Sequence, residues 1–387
     1  MSQRLQSFLS YAFRPFFLMN GLFAVVIAVL WIVMLHGGWR SGPANFVLWH
    51  AHEMLVGFAM AAMAGFLLTA IPNWTGRQPI QGQPLAWLIF AWLGGRVAMA
   101  ASGVMPPWIV APIDLAFPLL LFLFALQEVV AAGNRRNYPI VAITGVLTLL
   151  NLLYHLGAEW RLPNADRTAL YLMMHTMLLL VTVIGGRVLP NFTANWLRIR
   201  GAERVPVNNA TIDRLAILST LLVGLAASLS PSGPATGLLA TLAAILHALR
   251  LSAWRGWATR EEPLLLMLHV AYAWLPVGYA LTACAAFGWV FPATAALHAL
   301  TMGAIGSMIL AMMTRVPLGH TGRPLHASRL TALAYAVLTV AVVIRVTGPL
   351  AGSAYLVMID VSAAAWILAF AIFGLHYWPI LTRPRVS

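Results

Sequence analysis

Residues 45–77 read NFVLWHAHEMLVGFAMAAMAGFLLTAIPNWTGR. Between Phe46 and Ile71 the only Asp, Glu or Arg is Glu53, and the apolar run ends at Pro72 and Arg77. About 20 apolar residues in a helix cross the hydrocarbon core of a bilayer. The stretch therefore reads as a membrane-spanning helix over 45–71 that carries two histidines, His50 and His52, and one carboxylate. Ionisable groups are costly in lipid, so in such a helix they face the interior of a bundle and find partners there.

The rest of the chain has the same texture. Of its 387 residues 61% are hydrophobic and 9% charged, and the mean hydropathy is +0.84. A soluble domain carries about 25% charged residues, so an ordinary soluble enzyme is excluded. With Pro, Gly and Arg clusters as punctuation, spans are predicted at 16–35, 45–71, 84–104, 107–132, 138–158, 167–190, 211–230, 235–254, 263–288, 292–315, 328–347 and 352–378. The fold class is an all-α integral membrane protein of twelve helices, a single polytopic domain over 1–387 embedded in the lipid bilayer.

All 23 basic residues are Arg, against 10 acidic residues, for a net charge of +13. The arginines lie singly or in small groups between apolar runs and form no continuous basic stripe, which argues against nucleic acid. Cys284 is the only cysteine. An intrachain disulfide, a thiolate cluster and covalent c-type haem attachment are thereby excluded. Met1 to Phe17 has Arg4 and Arg14 but no small-residue cleavage site, and reads as the start of an uncleaved first span. With the N-terminus inside, 18 of the 23 arginines fall on inner segments. Arg40, Arg161, Arg167 and Arg345 fall outside, and Arg96 lies within the third span. This asymmetry places both termini in the cytoplasm.

A weak repeat underlies the spans. The second runs from His52 to Pro72, the sixth from His175 to Pro190 and the tenth from His298 to Pro317, a period of four helices. Glycines follow the first and last of these histidines by five residues, at Gly57 and Gly303. The pattern suggests a threefold arrangement of four-helix units. His52, His175 and His298 lie roughly 9 to 12 Å below the outer boundary at 1.5 Å per residue, in one layer. Two readings stand for them: metal coordination by neutral imidazoles, or hydrogen bonds between helices.

On a helix His50 and His52 point about 200° apart, whereas His50 and Glu53 share a face. The two imidazoles then have separate roles, one as an axial haem ligand, the other on a second metal or in a proton relay beside Glu53. The alternative is an interhelical hydrogen-bond cluster. Gly57, Gly303 and Gly306, with Ala61, Ala299 and Ala304, would let a flat macrocycle approach the helix backbones, or two helices approach each other. Arg96 and Asp114 lie nine positions on either side of Met105 and match in depth. They read as an ion pair, with Arg96 on a haem propionate as the second reading. His247 and His269 complete a metal site only if displaced from these depths. His320 falls in a loop, where it binds a quinone head group, relays protons or is merely solvated. His155, near a span end, receives no role.

Five stretches together resemble the NnrS family: Phe13-Arg14-Pro15-Phe16-Phe17, His50-Ala51-His52-Glu53-Met54, Pro72-Asn73-Trp74-Thr75-Gly76, Gly185-Gly186-Arg187 and Gly319-His320-Thr321-Gly322-Arg323. The resemblance covers nearly the whole chain. It implies a twelve-span haem and copper protein of the bacterial cytoplasmic (inner) membrane, linked to nitric oxide metabolism and relief of nitrosative stress. On the family pattern the site residues are His50, His52, Glu53, His175, His269, His298, and His320 with Arg323; the motifs do not divide haem from copper. A looser similarity is to the catalytic subunit of haem-copper oxidases and nitric oxide reductases, which carry metal-binding histidines on the second, sixth and tenth of twelve helices. The chain departs from that pattern, because its seventh span, Thr211 to Ser230, contains no His. Copper would then be built differently, for example from His175 with a second His and Glu53.

The main expectation is a haem b protein, with copper, that binds nitric oxide and reduces it to nitrous oxide with quinol electrons. Glu53 and His50 serve catalysis and proton movement, His52, His298 and Arg96 hold haem, and His50, His52, His175, His269 and His298 are the candidate metal ligands. The rival reading is a non-catalytic nitric oxide sensor or a metal or haem transporter. A transporter would show broken helices in paired halves, whereas here the period is four helices.

Overall fold

Long helices form where the apolar runs lie, with proline, glycine and capping side chains at their ends. The structure, a computed structural model, describes residues 3–39, 42–160 and 162–386. Arg40 and Arg161, assigned above to the outer side, lie outside the described residues. The helices are α1 (Phe13–Leu35), α2 (Phe46–Thr75), α3 (Gln83–Ala100), α4 (Pro107–Ala131), α5 (Tyr138–Trp160) and α6 (Ala165–Ile199). They continue with α7 (Ala210–Leu229), α8 (Pro234–Ser252), α9 (Pro263–Ala286), α10 (Ala293–His320), α11 (Arg329–Thr347) and α12 (Tyr355–Thr382). No strand occurs among the described residues. Eleven of the helical segments are long and apolar enough to cross a membrane; α3, which carries Gln83, Arg96 and paired glycines, is the less apolar exception.

Local chemistry sets the boundaries. Asn45 Oδ1 accepts from Leu48 N (3.2 Å) at the start of α2, and Asn209 Oδ1 accepts from Thr211 N and Ile212 N at the start of α7. Glu262 and Ser328 cap α9 and α11 in the same way. Proline opens α3, α4, α8 and α9, where its missing N–H would have no helical partner. Gly76, at φ +69°, closes α2.

Several helices run further than the sequence predicts, among them α2 to Thr75 and α12 to Thr382, and α6 and α10 overrun most. α6 passes Pro190 to reach Ile199, and α10 passes Pro317 to end at His320, so His320 is the last helical residue and not a loop residue. A proline removes one backbone donor while the rest of the ladder continues, and in each helix a side chain beside it hydrogen-bonds a neighbouring carbonyl. Asn191 Nδ2 donates to Arg187 O (2.6 Å), and Thr321 Oγ1 donates to Pro317 O (2.6 Å). With 35 residues, α6 is on the order of 50 Å long at 1.5 Å per residue, more than the hydrocarbon thickness.

α2 and α10 share a distortion. α2 is α-helical from Phe46 to His52, π-helical from Glu53 to Ala59 and α-helical again from Met60. α10 is α-helical from Ala293 to His298, π-helical from Ala299 to Gly306 and α-helical from Ser307. In each, the wide turns begin on the residue after the repeat histidine. Such i→i+5 segments are rare overall and are frequent at functional sites. α6 has none.

The chain forms two compact units. The first comprises 1–173, 315–324 and 370–387, and the second 174–314 and 325–369. In the first, α3 packs on α4, α4 on α5, and α1 and α4 on α2. In the second, α8 packs between α7 and α9, and α9 and α11 flank α10. The outward chemistry is that of a lipid-facing surface. On α7, Leu215, Leu218, Leu221, Leu222, Leu225 and Leu229 are exposed, while Ala216, Ser219, Thr220 and Gly224 are buried. Small residues inward and large aliphatics outward fit helices that meet each other closely and meet lipid elsewhere.

Candidate functional site: a buried histidine–carboxylate cluster

The first unit encloses a cluster of ionisable side chains drawn from four helices. α2 supplies His52, its last residue before the π segment, and Glu53, the first within it. α3 supplies Arg96, α4 Asp114, and α5 Asn151, Tyr154 and His155. His52, Asp114 and Asn151 are fully enclosed, and Glu53, Arg96 and His155 are buried. His52 Nδ1 lies 3.1 Å from Glu53 Oε1; its Nε2 lies 2.8 Å from Asn151 Oδ1 and 3.2 Å from Asp114 Oδ2. His155 Nε2 lies 2.9 Å from the same Asp114 oxygen, to which Asn151 Nδ2 donates at 2.8 Å. The Arg96 guanidinium bridges the two carboxylates, Nη1 donating to Glu53 Oε1 and Nη2 to Asp114 Oδ1. Tyr154 stacks on the His52 ring at 4.5 Å.

Charge accounting constrains what this cluster can do. Two carboxylates face one fixed cation, so one negative charge is left for a further cation to balance. A proton on each nitrogen of His52 would do so, and both nitrogens face acceptors. A metal ion would do so as well: ligand atoms of His52, Asp114 and His155 all lie within 4.8 Å of one another.

Glycines make the cluster possible. A Cβ on Gly57 would stand 2.9 Å from Arg96 Nη1 and 2.6 Å from the Phe23 ring, and one on Gly95 would stand 3.1 Å from Asp114 Oδ1. The π segment turns the Gly57 carbonyl to Trp92, whose Nε1 donates to it at 2.9 Å. The glycines singled out for a flat macrocycle are occupied by side chains: Phe23 lies against Gly57, Trp274 against Gly303 and Trp366 against Gly306.

The other predicted residues are placed as follows. His50 packs its ring on Trp31 at 4.2 Å, and Glu53 turns to His52 and Arg96. In the second unit, a Cβ on Gly224 would stand 2.7 Å from His175 Cβ, and Gly256 likewise clears room for the His269 ring. His269 Nε2 lies 3.1 Å from Thr193 Oγ1. The Nδ1 atoms of His175 and His269 are buried with no hydrogen-bond partner among the described residues. His298 is half-buried and donates from Nδ1 to Thr294 O at 2.8 Å. His320 lies against Phe13, with Arg323 in the loop that follows.

Sequence reasoning missed His155, Asn151 and Tyr154. The available signal was a polar stripe on α5, where Thr144, Thr148, Asn151 and His155 recur at helical spacing and are all buried. It also missed a second network. Arg250, one of the 18 arginines assigned to inner segments, is buried in the second unit; its Nε donates to Asp213 Oδ1 (2.6 Å), and Nη1 donates to Tyr272 Oη (2.9 Å) and Thr182 O (2.7 Å). His247 lies between Tyr272 Oη (2.8 Å) and Thr220 Oγ1 (2.9 Å). The Gly185-Gly186 pair gives Tyr272 and Arg250 their space, since a Cβ on Gly186 would overlap the guanidinium.

These features define a multi-pass membrane protein with the helical fold of the oxidases. A solved structure of a heme-copper terminal oxidase dimer aligns with 98% of this chain and 86% of its own, with a TM-score of 0.63 and 14% sequence identity. The likeness is one of fold. The model of the family described as NnrS protein matches residues 7–385, and the chain belongs to the NnrS family. No curated protein matches it.

Proposed function

We propose that the protein is a haem b and copper protein of the bacterial cytoplasmic membrane, with both termini inside, that binds nitric oxide and reduces it to nitrous oxide with quinol electrons. The observation that supports this reading best is the buried cluster of His52, Glu53, Arg96, Asp114 and His155, in which ligand atoms of two histidines and a carboxylate lie within 4.8 Å of one another. Two imidazoles and a carboxylate make a donor set suited to copper. Glu53 on His52 Nδ1 is the outer-shell partner that orients such a ligand.

The fit for haem is different at each histidine. His52 does not fit as a haem ligand, because it is fully enclosed and both its nitrogens face side chains of the cluster. His298 is the candidate on α10, where its Nδ1–H, fixed on the Thr294 carbonyl, sets the orientation of the ring on the residue before the π segment. His175 and His269, each with a buried nitrogen that has no hydrogen-bond partner among the described residues, are the further candidates. Arg96 is committed to Glu53 and Asp114, so a propionate would have to find another cation. When bound, haem iron and copper supply the redox chemistry and the position at which nitric oxide is held.

Reduction of two nitric oxide molecules to nitrous oxide and water consumes two electrons and two protons, and one quinol releases both. The chain must therefore move protons. Glu53, on His52 Nδ1 and outside the copper donor set, is the group that holds and passes a proton beside it. Tyr154 stacked on His52 excludes water from the cluster.

The test is an optical spectrum of detergent-purified protein, oxidised and reduced, before and after nitric oxide, with metal analysis on the same sample and then quinol-driven turnover. A b-type spectrum that shifts with nitric oxide, copper on the protein and consumption of the gas support the reading. Binding without turnover leaves a sensor, and turnover that survives Asp114→Asn with His155→Ala removes the cluster from the mechanism. Folded protein without haem, made with ample haem supply, overturns the redox reading altogether.

A further inference from the structure

Two stretches have no part in the function proposed above, Phe13-Arg14-Pro15-Phe16-Phe17 and Gly319-His320-Thr321-Gly322-Arg323. In the first unit they meet. The His320 ring lies 5.6 Å from that of Phe13 and 6.2 Å from that of Tyr11. The C-terminal tail crosses the same place, with Val386 N donating to Thr321 O at 3.0 Å. Gly322, at φ +73°, has no room for a side chain there, because a Cβ would stand 2.5 Å from Val386 O and 3.5 Å from Arg385 Nε. Arg14 Nη1 donates to Leu381 O (3.1 Å) and Arg383 O (2.6 Å), where α12 ends.

These contacts gather Arg14, Arg323, Arg383 and Arg385. No Asp or Glu occurs in residues 1–52, 315–324 or 370–387, so the segments that build the group bring no counter-charge. Arg14 is only 3% exposed. Its Nε, and Nη1 of Arg323, are buried without a hydrogen-bond partner among the described residues. Burial, and then the neighbouring Arg383, push the Arg323 guanidinium below its usual range. Buried donors with no acceptor call for one. Guanidinium groups match phosphate oxygens in bidentate geometry, and basic pockets at the ends of membrane helices hold phosphate-bearing head groups. A neutral quinol head would leave the four charges uncompensated.

We propose that Arg14, Arg323, Arg383 and Arg385 form a phosphate-binding site where α1 begins and α12 ends, filled in the membrane by the head group of an anionic phospholipid. The experiment uses the full chain, stripped of lipid in a neutral detergent. Thermal midpoint and native mass are followed during titration with phosphatidylglycerol, phosphatidylcholine and inorganic phosphate. Phosphatidylglycerol is expected to stay bound and raise the midpoint, with phosphatidylcholine inactive at the same mole fraction and inorganic phosphate active only at far higher concentration. Arg323→Gln with Arg385→Gln should weaken phosphatidylglycerol binding by about fivefold per arginine. Arg135→Gln with Arg136→Gln, which removes two exposed arginines elsewhere in the first unit, should leave it unchanged. Equal responses to the two lipids, or equal losses in the two double variants, would reduce the group to general surface charge and overturn the site. Inorganic phosphate as effective as the lipid would overturn the lipid as its source.

Discussion

Replacing Arg96 by Met keeps much of its length and removes its charge. Glu53 and Asp114 would then share a buried site with no fixed cation, each no more than 1% exposed. Removing one partner of a buried ion pair costs about 3–5 kcal/mol. Arg96 serves two carboxylates, so Arg96→Met belongs at the upper end of that range, about 4–5 kcal/mol, or a fall of roughly 8 to 10 °C in thermal midpoint at about 2 °C per kcal/mol. The assay is intrinsic tryptophan fluorescence on heating in detergent, with gel filtration to confirm that each variant is monodisperse. The cost should be recovered in part by Arg96→Met with Glu53→Gln, and more fully when Asp114→Asn is added, since the uncompensated charges disappear in turn. Glu53→Gln alone should destabilise. Its change of sign in the Arg96→Met background is the coupling that identifies charge, and not shape, as the cause. A midpoint for Arg96→Met within about 2 °C of the parent, or purely additive double variants, would refute the charge accounting.

Further predictions concern fit and ligation. Gly57→Ala and Gly186→Ala each force a methyl against an arginine and should cost about 1–3 kcal/mol by thermal midpoint, whereas Gly374→Ala, with nothing within 4 Å of the new Cβ, should stabilise α12 by about 0.5–1 kcal/mol. His155→Ala should lower copper content in metal analysis by more than half, and His50→Ala, whose ring packs on Trp31, should leave it near the parent value. His298→Ala should lose b-type absorbance at full protein yield; retention of the whole spectrum would remove His298 from the ligand set.

The spans were legible because lipid permits little else: an uninterrupted apolar run must be helical, and its ends are marked by Pro, Gly and Arg. His52 and Glu53 were legible for the same reason, as groups too costly to sit in lipid alone. His155 was not, since a histidine near a span end has water as a cheap alternative, and only its alignment with Asn151 and Thr148 on one face of α5 betrays it. Arg250 misled because a long side chain at a span end normally reaches outward to the interface. Here the absent side chain of Gly186, distant in sequence, lets it turn inward to Asp213 and Tyr272. The π segments leave little trace in composition. The glycine five residues after each histidine marks where an aromatic ring approaches, not where the helix widens.

Those segments make the direction of two histidines a matter of counting. A wide turn holds one residue more than an ordinary one, and each residue of an α-helix turns the chain by about 100°. Deleting any one residue between Glu53 and Ala59 would let the helix close to regular winding and swing His52 about 100° away from Asp114 and Asn151, with the His50-Ala51-His52 triplet intact. A homologous chain one residue shorter in this stretch, or between Ala299 and Gly306, would keep the family's lettering and aim its imidazole at a different neighbour. In this protein the phase of the helix is as much a part of the site as the histidine it carries.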